Sequence, residues 1–231
     1  MPLRLTAPQW RQVVRWFVRG MPSAQIAHET RLDRKRTLRA LIVIRRAMTE
    51  MAPSALASAH RRQYVESLRV AATTPEGSPV REPLPVLGIY ASHGQFWSIV
   101  VPANEAARIE RAFRERGSDR LELPRIGPYM AVVYRRRLYR LTKPSEERTA
   151  SFGQVEAFWS YLQRQLRSKG GIRRSRLNLY LAEYAWRYNH RKWTSDEQVR
   201  ELMALVRRVR PGARNVAIPG ALDSPMSRAS Y

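Results

Sequence analysis

Two runs of cations offer most of the chemistry that this chain's residue types and spacing allow. The first is Arg34, Lys35, Arg36, Thr37 and Arg39. The second is Arg164, Arg167, Lys169, Arg173, Arg174 and Arg176, arranged around Gly170-Gly171. A guanidinium presents a planar fork of donors that matches phosphate and guanine bidentately. Two adjacent glycines let a backbone come close to a phosphate while the flanking cations supply charge. The second run also reads as a glycine-capped helix end whose cations suit the helix dipole, and the two readings are compatible. Arg135-Arg-Arg137, set between apolar pairs, reads as one edge of a strand facing water.

Composition points the same way. Lys and Arg together number 42 against 19 Asp and Glu, a formal net charge of +23 and a pI near 11.5. Such a surplus repels itself unless a polyanion neutralises it. Cations that displace counterions from phosphates give binding that falls steeply with salt. Lysine occurs only at 35, 143, 169 and 192; a GC-rich genome explains that arginine bias but not the net surplus. At 231 residues and 44% hydrophobic content the chain can bury a core, with room for one ordinary domain and a small module. With no cysteine there are no disulfides and no thiolate zinc site. His28, His60, His93 and His190 are widely spaced and form no ligand pattern. No apolar run reaches the roughly 18–20 residues that a spanning helix needs, and no secretory apolar core opens the chain. The expectation is a soluble, cytoplasmic, nucleoid-associated protein whose partner is double-stranded DNA, with no membrane partner.

The elements that must position these cations follow from periodicity. Thr6-Ala-Pro-Gln9 is a capping-box pattern, followed by Trp10, Val13, Val14, Phe17 and Val18 as one apolar stripe. Gly20-Met-Pro22 breaks that helix. Ser23 caps a short second helix, and Asp33 caps a third from Arg34 to about Met48, with Leu38, Leu41 and Ile42 inward. This is the layout of a helix-turn-helix whose third helix presents the first cation run to base edges and phosphates. The plainer reading is a small helical bundle with a solvated charge run. Val86–Ala91 and Gln95–Val101 flank Ser92-His93-Gly94, a hairpin signal. Helix 104–116, a short strand at 120–123 and a strand across 130–141 complete a mixed α/β pattern. The chain is helical again from Gln154, with Phe158, Trp159, Leu162 and Leu166 on one face. Helices from Leu177 to Tyr188 and from a Ser195-Asp-Glu-Gln198 capping box to about Val209 follow.

One stretch is more specific. Gln154-Val-Glu-Ala-Phe-Trp-Ser, followed by Tyr180-Leu-Ala-Glu183 and Arg187-Tyr-Asn-His-Arg191, resembles the end of the catalytic domain of the ISXO-like insertion-sequence transposases. Pro85-Val-Leu-Gly-Ile89 and the hairpin resemble that family's second and third strands, so the likeness spans about residues 10–192. The resemblance implies a ribonuclease-H-like core and metal-dependent DNA cleavage and joining, with two ions held by carboxylates at the scissile phosphate. Glu156 matches one family acid. Leu68 and Pro124 stand where the other two belong, with Glu66 and Glu122 the only nearby replacements. A two-residue shift keeps a strand side chain on the same face. Leucine and proline bind no metal, and a single carboxylate holds Mg²⁺ poorly. On this reading Glu156 serves as a buried or capping acid.

The expected fold is therefore α/β. A helix-turn-helix module (1–50) and a linker (51–62) precede a ribonuclease-H-like mixed-sheet domain (63–192), a C-terminal helix (193–210) and a loose tail (211–231). The expected function is DNA binding without cleavage, as an accessory, regulatory or structural subunit of a homo-oligomer or larger nucleoprotein complex. No metal and no other cofactor is expected. The alternative is an active transposase using Mg²⁺ or Mn²⁺ at Glu66, Glu122 and Glu156; a second is a structural RNA-binding subunit.

Overall fold

The computed structural model describes residues 3, 5–54, 56, 85–116, 128–141, 151–168 and 172–209. Within them the protein is α/β, with seven α-helices and one four-stranded antiparallel sheet. The strand expected at 120–123, the beginning of the expected 63–192 domain through residue 84 and the tail at 211–231 lie outside these residues.

Helix α1 (Ala7–Val18) opens with the expected capping box. The Gln9 amide N–H donates to Thr6 Oγ1, and the Thr6 N–H donates to Gln9 Oε1 at 3.0 Å. Its stripe of Trp10, Val13, Val14, Phe17 and Val18 is buried as the spacing predicts. Helix α2 (Ser23–Thr30) differs at its start. Pro22 is the N-cap and Ser23 is the first helical residue, with no side-chain cap. Helix α3 (Arg34–Thr49) is capped by Asp33, whose carboxylate accepts from the Arg36 N–H at 2.8 Å. Its buried face is Thr37, Ala40, Leu41, Ile44, Ala47 and Met48, not Leu38, Leu41 and Ile42. The helix is thus rotated by about one residue from the expected register, and Leu38 faces outward. Three consecutive branched residues at 42–44 hid the true stripe, which continues through small Ala40 and Ala47.

Strands β1 (Leu87–Ser92) and β2 (Gln95–Val100) form the expected hairpin. His93 and Gly94 make its two-residue turn with φ of 49° and 73°, the left-handed pair that matches strand twist. Helix α4 (Ala103–Arg116) follows. Where one strand across 130–141 was expected there are two, β3 (Ala131–Tyr134) and β4 (Arg137–Arg140). Arg135-Arg136 is their turn rather than a strand edge. The sheet order is β2-β1-β3-β4. Both edges of β1 are occupied, and all described pairings are antiparallel. Helix α5 (Phe152–Ser168) begins two residues earlier than expected because Ser151 and Gln154 cap each other reciprocally. A 3₁₀ turn (Arg174–Arg176) leads into α6 (Leu177–Asn189), and α7 (Ser195–Val209) ends the described chain. The capping box of α7 is Thr194 with Glu197, one residue before the expected Ser195 with Gln198.

The sheet is covered on both sides. Leu87, Ile89, Phe96, Ala131 and Val133 face α5 and α6. Ile99 and Val132 face α4 through Ile109, together with Tyr129. Gly88 is required by Tyr129: a methyl at 88 would overlap the Tyr129 ring, which lies flat on β1. A separate core joins α1, α2 and α3 to α7 (Leu202, Val206) and to Trp186 of α6. The helices of residues 1–50 therefore do not close a core by themselves.

Helix α6 belongs to both cores and is buried nearly all round, through Leu181, Tyr184, Ala185 and Trp186. It makes two polar attachments. Along the outer edge of β2, Asn189 accepts from the Phe96 N–H and donates to the Phe96 carbonyl, each at 2.9 Å. Asn178, three turns earlier on the same face, accepts from the Val100 N–H at 2.8 Å. These amides stand in for a missing strand. On the other side, Glu183 lies between Arg45 of α3 (2.7 Å) and Arg187 (2.9 Å). Arg187 also donates to the Phe17 and Val18 carbonyls at the end of α1, at 2.7 and 3.1 Å. Burial pushes the Glu183 carboxyl up, but the two guanidinium charges and their hydrogen bonds outweigh it and hold it below its ordinary value.

A depressed carboxyl stabilises the fold above its ordinary value of 4.5 and loses that contribution as pH falls through the lowered folded value. Glu183→Gln should therefore cost about 3–5 kcal/mol near neutrality, where it leaves two buried cations uncompensated. The gap from wild type should narrow in acid, and urea midpoints across pH check this. Asn189→Leu should cost about 1–3 kcal/mol by stranding both Phe96 backbone groups, read as a lower urea midpoint at neutral pH.

Candidate nucleic-acid interface

Three basic surfaces emerge. The first is the start of α3, reached from α2 through a short turn in which Arg31 adopts a left-handed conformation (φ 51°). Arg34 and Lys35 are exposed there, and Leu38, 38% exposed, lies on the same side one turn on. Arg36 is partly buried, with its guanidinium 3.9 Å from the Asp33 carboxylate. Arg39 is also partly buried. Thr37 does not reach the surface. It is fully buried, and its hydroxyl donates to the Asp33 carbonyl at 3.1 Å, so it drops out of the expected contact set.

The second surface carries the second cation run. Arg164 and Arg167 are exposed on α5, and Arg173, Arg174 and Arg176 are exposed on the 3₁₀ turn and its approach. Lys169, Gly170 and Gly171 lie outside the described residues.

The third surface was not anticipated. An open groove of about 740 Å³ runs between α1 and α7 and is lined by Arg11, Arg15, Arg200 and Arg207, with Val199 and Met203 at its apolar base. Asp196 is the one acid among the lining residues. Thr194 forms part of its wall; the Thr194 amide and hydroxyl hold the Glu197 carboxyl below its ordinary value. Trp193, 43% exposed, precedes Thr194, and its ring meets His190 edge-on at 4.4 Å. The signal was present in the sequence as Arg11 and Arg15 one turn apart, and Arg200 and Arg207 two turns apart, each opposite an apolar stripe. Only the docking of α1 on α7 brings the two pairs together.

Among the described residues, no carboxylate lies within ion-pair distance of Arg34, Lys35, Arg164, Arg167, Arg173 or Arg176, nor of the four groove arginines. The buried carboxylate of Glu183, by contrast, takes two arginines.

Glu156 is exposed on α5. It is neither buried nor the helix's capping acid, since Ser151 and Gln154 form the cap. Glu66 and Glu122, like Leu68 and Pro124, lie outside the described residues. Among the described residues no three His, Cys, Asp or Glu side chains gather as a metal site, and no helix is long and apolar enough to cross a membrane. The remaining residues of the sequence motif have structural positions. Glu183 and Arg187 are the buried ion cluster, Asn189 holds β2, and Arg191 donates to the Tyr188 carbonyl at 2.6 Å.

Comparison of the chain with family models, curated proteins and solved structures gives no match.

Replacing Arg34 and Lys35 together with Ala should change stability by less than about 0.5 kcal/mol, as exposed sites do. On the expectation that the partner is duplex DNA and that α3 contacts it, the change should also reduce the magnitude of the slope of log affinity against log salt by about 2, one contact for each cation. A salt titration of fluorescence anisotropy reads this, and an unchanged slope removes α3 from the contact surface.

Proposed function

We propose that this protein binds double-stranded DNA through its arginine surfaces and is a descendant of an insertion-sequence transposase that has kept the grip and lost the cut. The observation that carries the reading is the division of charge. Inside, the Glu183 carboxylate takes two arginines, while Arg11 and Arg15 on α1, Arg34 on α3, Arg164 and Arg167 on α5 and Arg200 and Arg207 on α7 have no carboxylate within ion-pair distance among the described residues. A surface arranged in this way is complementary to a polyanion and costs self-repulsion without one.

On this reading α2, the turn at 31–33 and α3 act as a helix-turn-helix, with Arg34 and Lys35 at the position from which a recognition helix meets the major groove. Leu38 beside them supplies an apolar contact of the kind that reads a thymine methyl. The sheet with α5 and α6 would be the remnant of a ribonuclease-H-like core. The transposase ancestry rests on the Glu156 and Arg187–Arg191 motifs, and the loss of cleavage on Leu68 and Pro124. The protein would then act as an accessory or structural part of a nucleoprotein complex.

The test is binding and strand nicking in the same tubes, on duplex DNA with Mg²⁺ or Mn²⁺, for wild type and Glu156→Gln. Salt-sensitive binding with no cleavage by either protein is the expected result. Metal-dependent nicking that vanishes in Glu156→Gln would establish an active transposase with relocated acids. Preferential retention of a structured RNA over duplex DNA would instead reassign the ligand.

A further inference from the structure

The β3–β4 turn carries a contradiction between conformation and residue choice. Tyr134 and Arg137 pair across its base, leaving Arg135 and Arg136 as a two-residue connection with φ of 47° and 66°. Both are left-handed, a region that side chains bearing a Cβ disfavour and that Asn-Gly fills best. The chain contains its own control. The β1–β2 hairpin has the same two-residue turn and places Gly94 at the second position (φ 73°). At β3–β4 the equivalent position holds Arg136. Arg135, Arg136 and Arg137 are three successive exposed cations, and no carboxylate lies within ion-pair distance of them among the described residues.

The base of this hairpin is firmly held. Phe113 of α4 stacks on Tyr134 at 4.6 Å and meets Tyr139 edge-on at 4.5 Å, so it grips both strands. The Arg135 guanidinium lies over the Tyr134 ring at 5.2 Å. Neither backbone preference nor like-charge repulsion favours arginine here. A function of the charge itself accounts for both, and a tip fixed at its base has little conformational freedom left to lose when it meets a ligand.

We infer that the Arg135-Arg136-Arg137 tip is a rigid prong that contacts the phosphate backbone of duplex DNA, separate from α3 and from the α1–α7 groove. The inference rests on the DNA-binding reading above and adds a contact site to it. The prong contributes sequence-independent grip, because phosphate contacts fix position without reading bases.

The test exploits the opposition between stability and binding. Arg135→Asn with Arg136→Gly installs the preferred turn and removes two charges. In the full chain it should raise the melting temperature while weakening binding to a labelled duplex several-fold at moderate salt. The magnitude of the slope of log affinity against log salt should fall by about 2. Arg137→Thr, which keeps a strand-compatible residue, should reduce it by about 1. Binding identical to wild type in both variants overturns the prong while leaving the wider DNA reading intact. A wild-type chain that holds no duplex even at low salt overturns both. Weakened binding of an RNA helix with duplex binding untouched overturns the assignment to DNA.

Discussion

Glu183 sits where three helices meet, and its two arginines make the architecture possible. Arg45 comes from α3, Arg187 from α6 itself, and Arg187 reaches on to the last carbonyls of α1. The two guanidiniums also lie over the Phe17 ring, at 5.8 and 4.7 Å, so the polar cluster and the apolar core share a wall. A buried carboxylate with a single partner would leave lone pairs unsatisfied. Two arginines give each carboxylate oxygen a donor and leave one net positive charge, which the last carbonyls of α1 help to offset. The cluster fixes the axial position of α6 against α1 and α3. The two asparagines then fix β2 against the opposite side of the same helix.

The surface obeys a different rule from the interior. Inside, the Glu183 carboxylate is matched by two arginines; outside, the arginines of α1, α3, α5 and α7 lie on several different elements of the described structure. A single cationic stripe would suit one groove of a straight duplex. Several separated surfaces suit a ligand that bends around the protein or is met by more than one copy of it, and both arrangements are accessible to a long polyanion.

Much of the scaffold was legible in the sequence. The α1 stripe, the β1–β2 turn at His93-Gly94 and the buried spacing of Leu177, Leu181, Tyr184 and Tyr188 each follow from one periodicity or one turn preference. The misreadings have local causes. The face of α3 was misjudged because alanines carry part of its stripe. The β3–β4 turn was missed because no sequence rule predicts two arginines in left-handed conformations. The cap of α7 slipped by one residue because Thr194 and Ser195 are adjacent hydroxyls, each three residues before a possible partner; Gln198 donates instead to the His190 and Trp193 carbonyls, and Thr194 closes the box with Glu197. Of the candidate site, Arg34 and Lys35 were placed correctly at the surface. Thr37 was not, since its hydroxyl prefers the Asp33 carbonyl one turn back. The α1–α7 groove was invisible in principle, being formed by residues from opposite ends of the described chain.

That shared ownership has a consequence for synthesis. The ribosome releases α1, α2 and α3 first, yet Phe17, Val14 and Ile44 complete their surroundings only when α6 and α7 emerge at the far end of the described chain. Until then the nascent chain carries an open apolar surface flanked by cations, beside a particle made largely of RNA. The last two helices thus act as a clasp, and ribosomes that stop before α6 would release chains with that surface uncovered, as natural clients for chaperones and proteases.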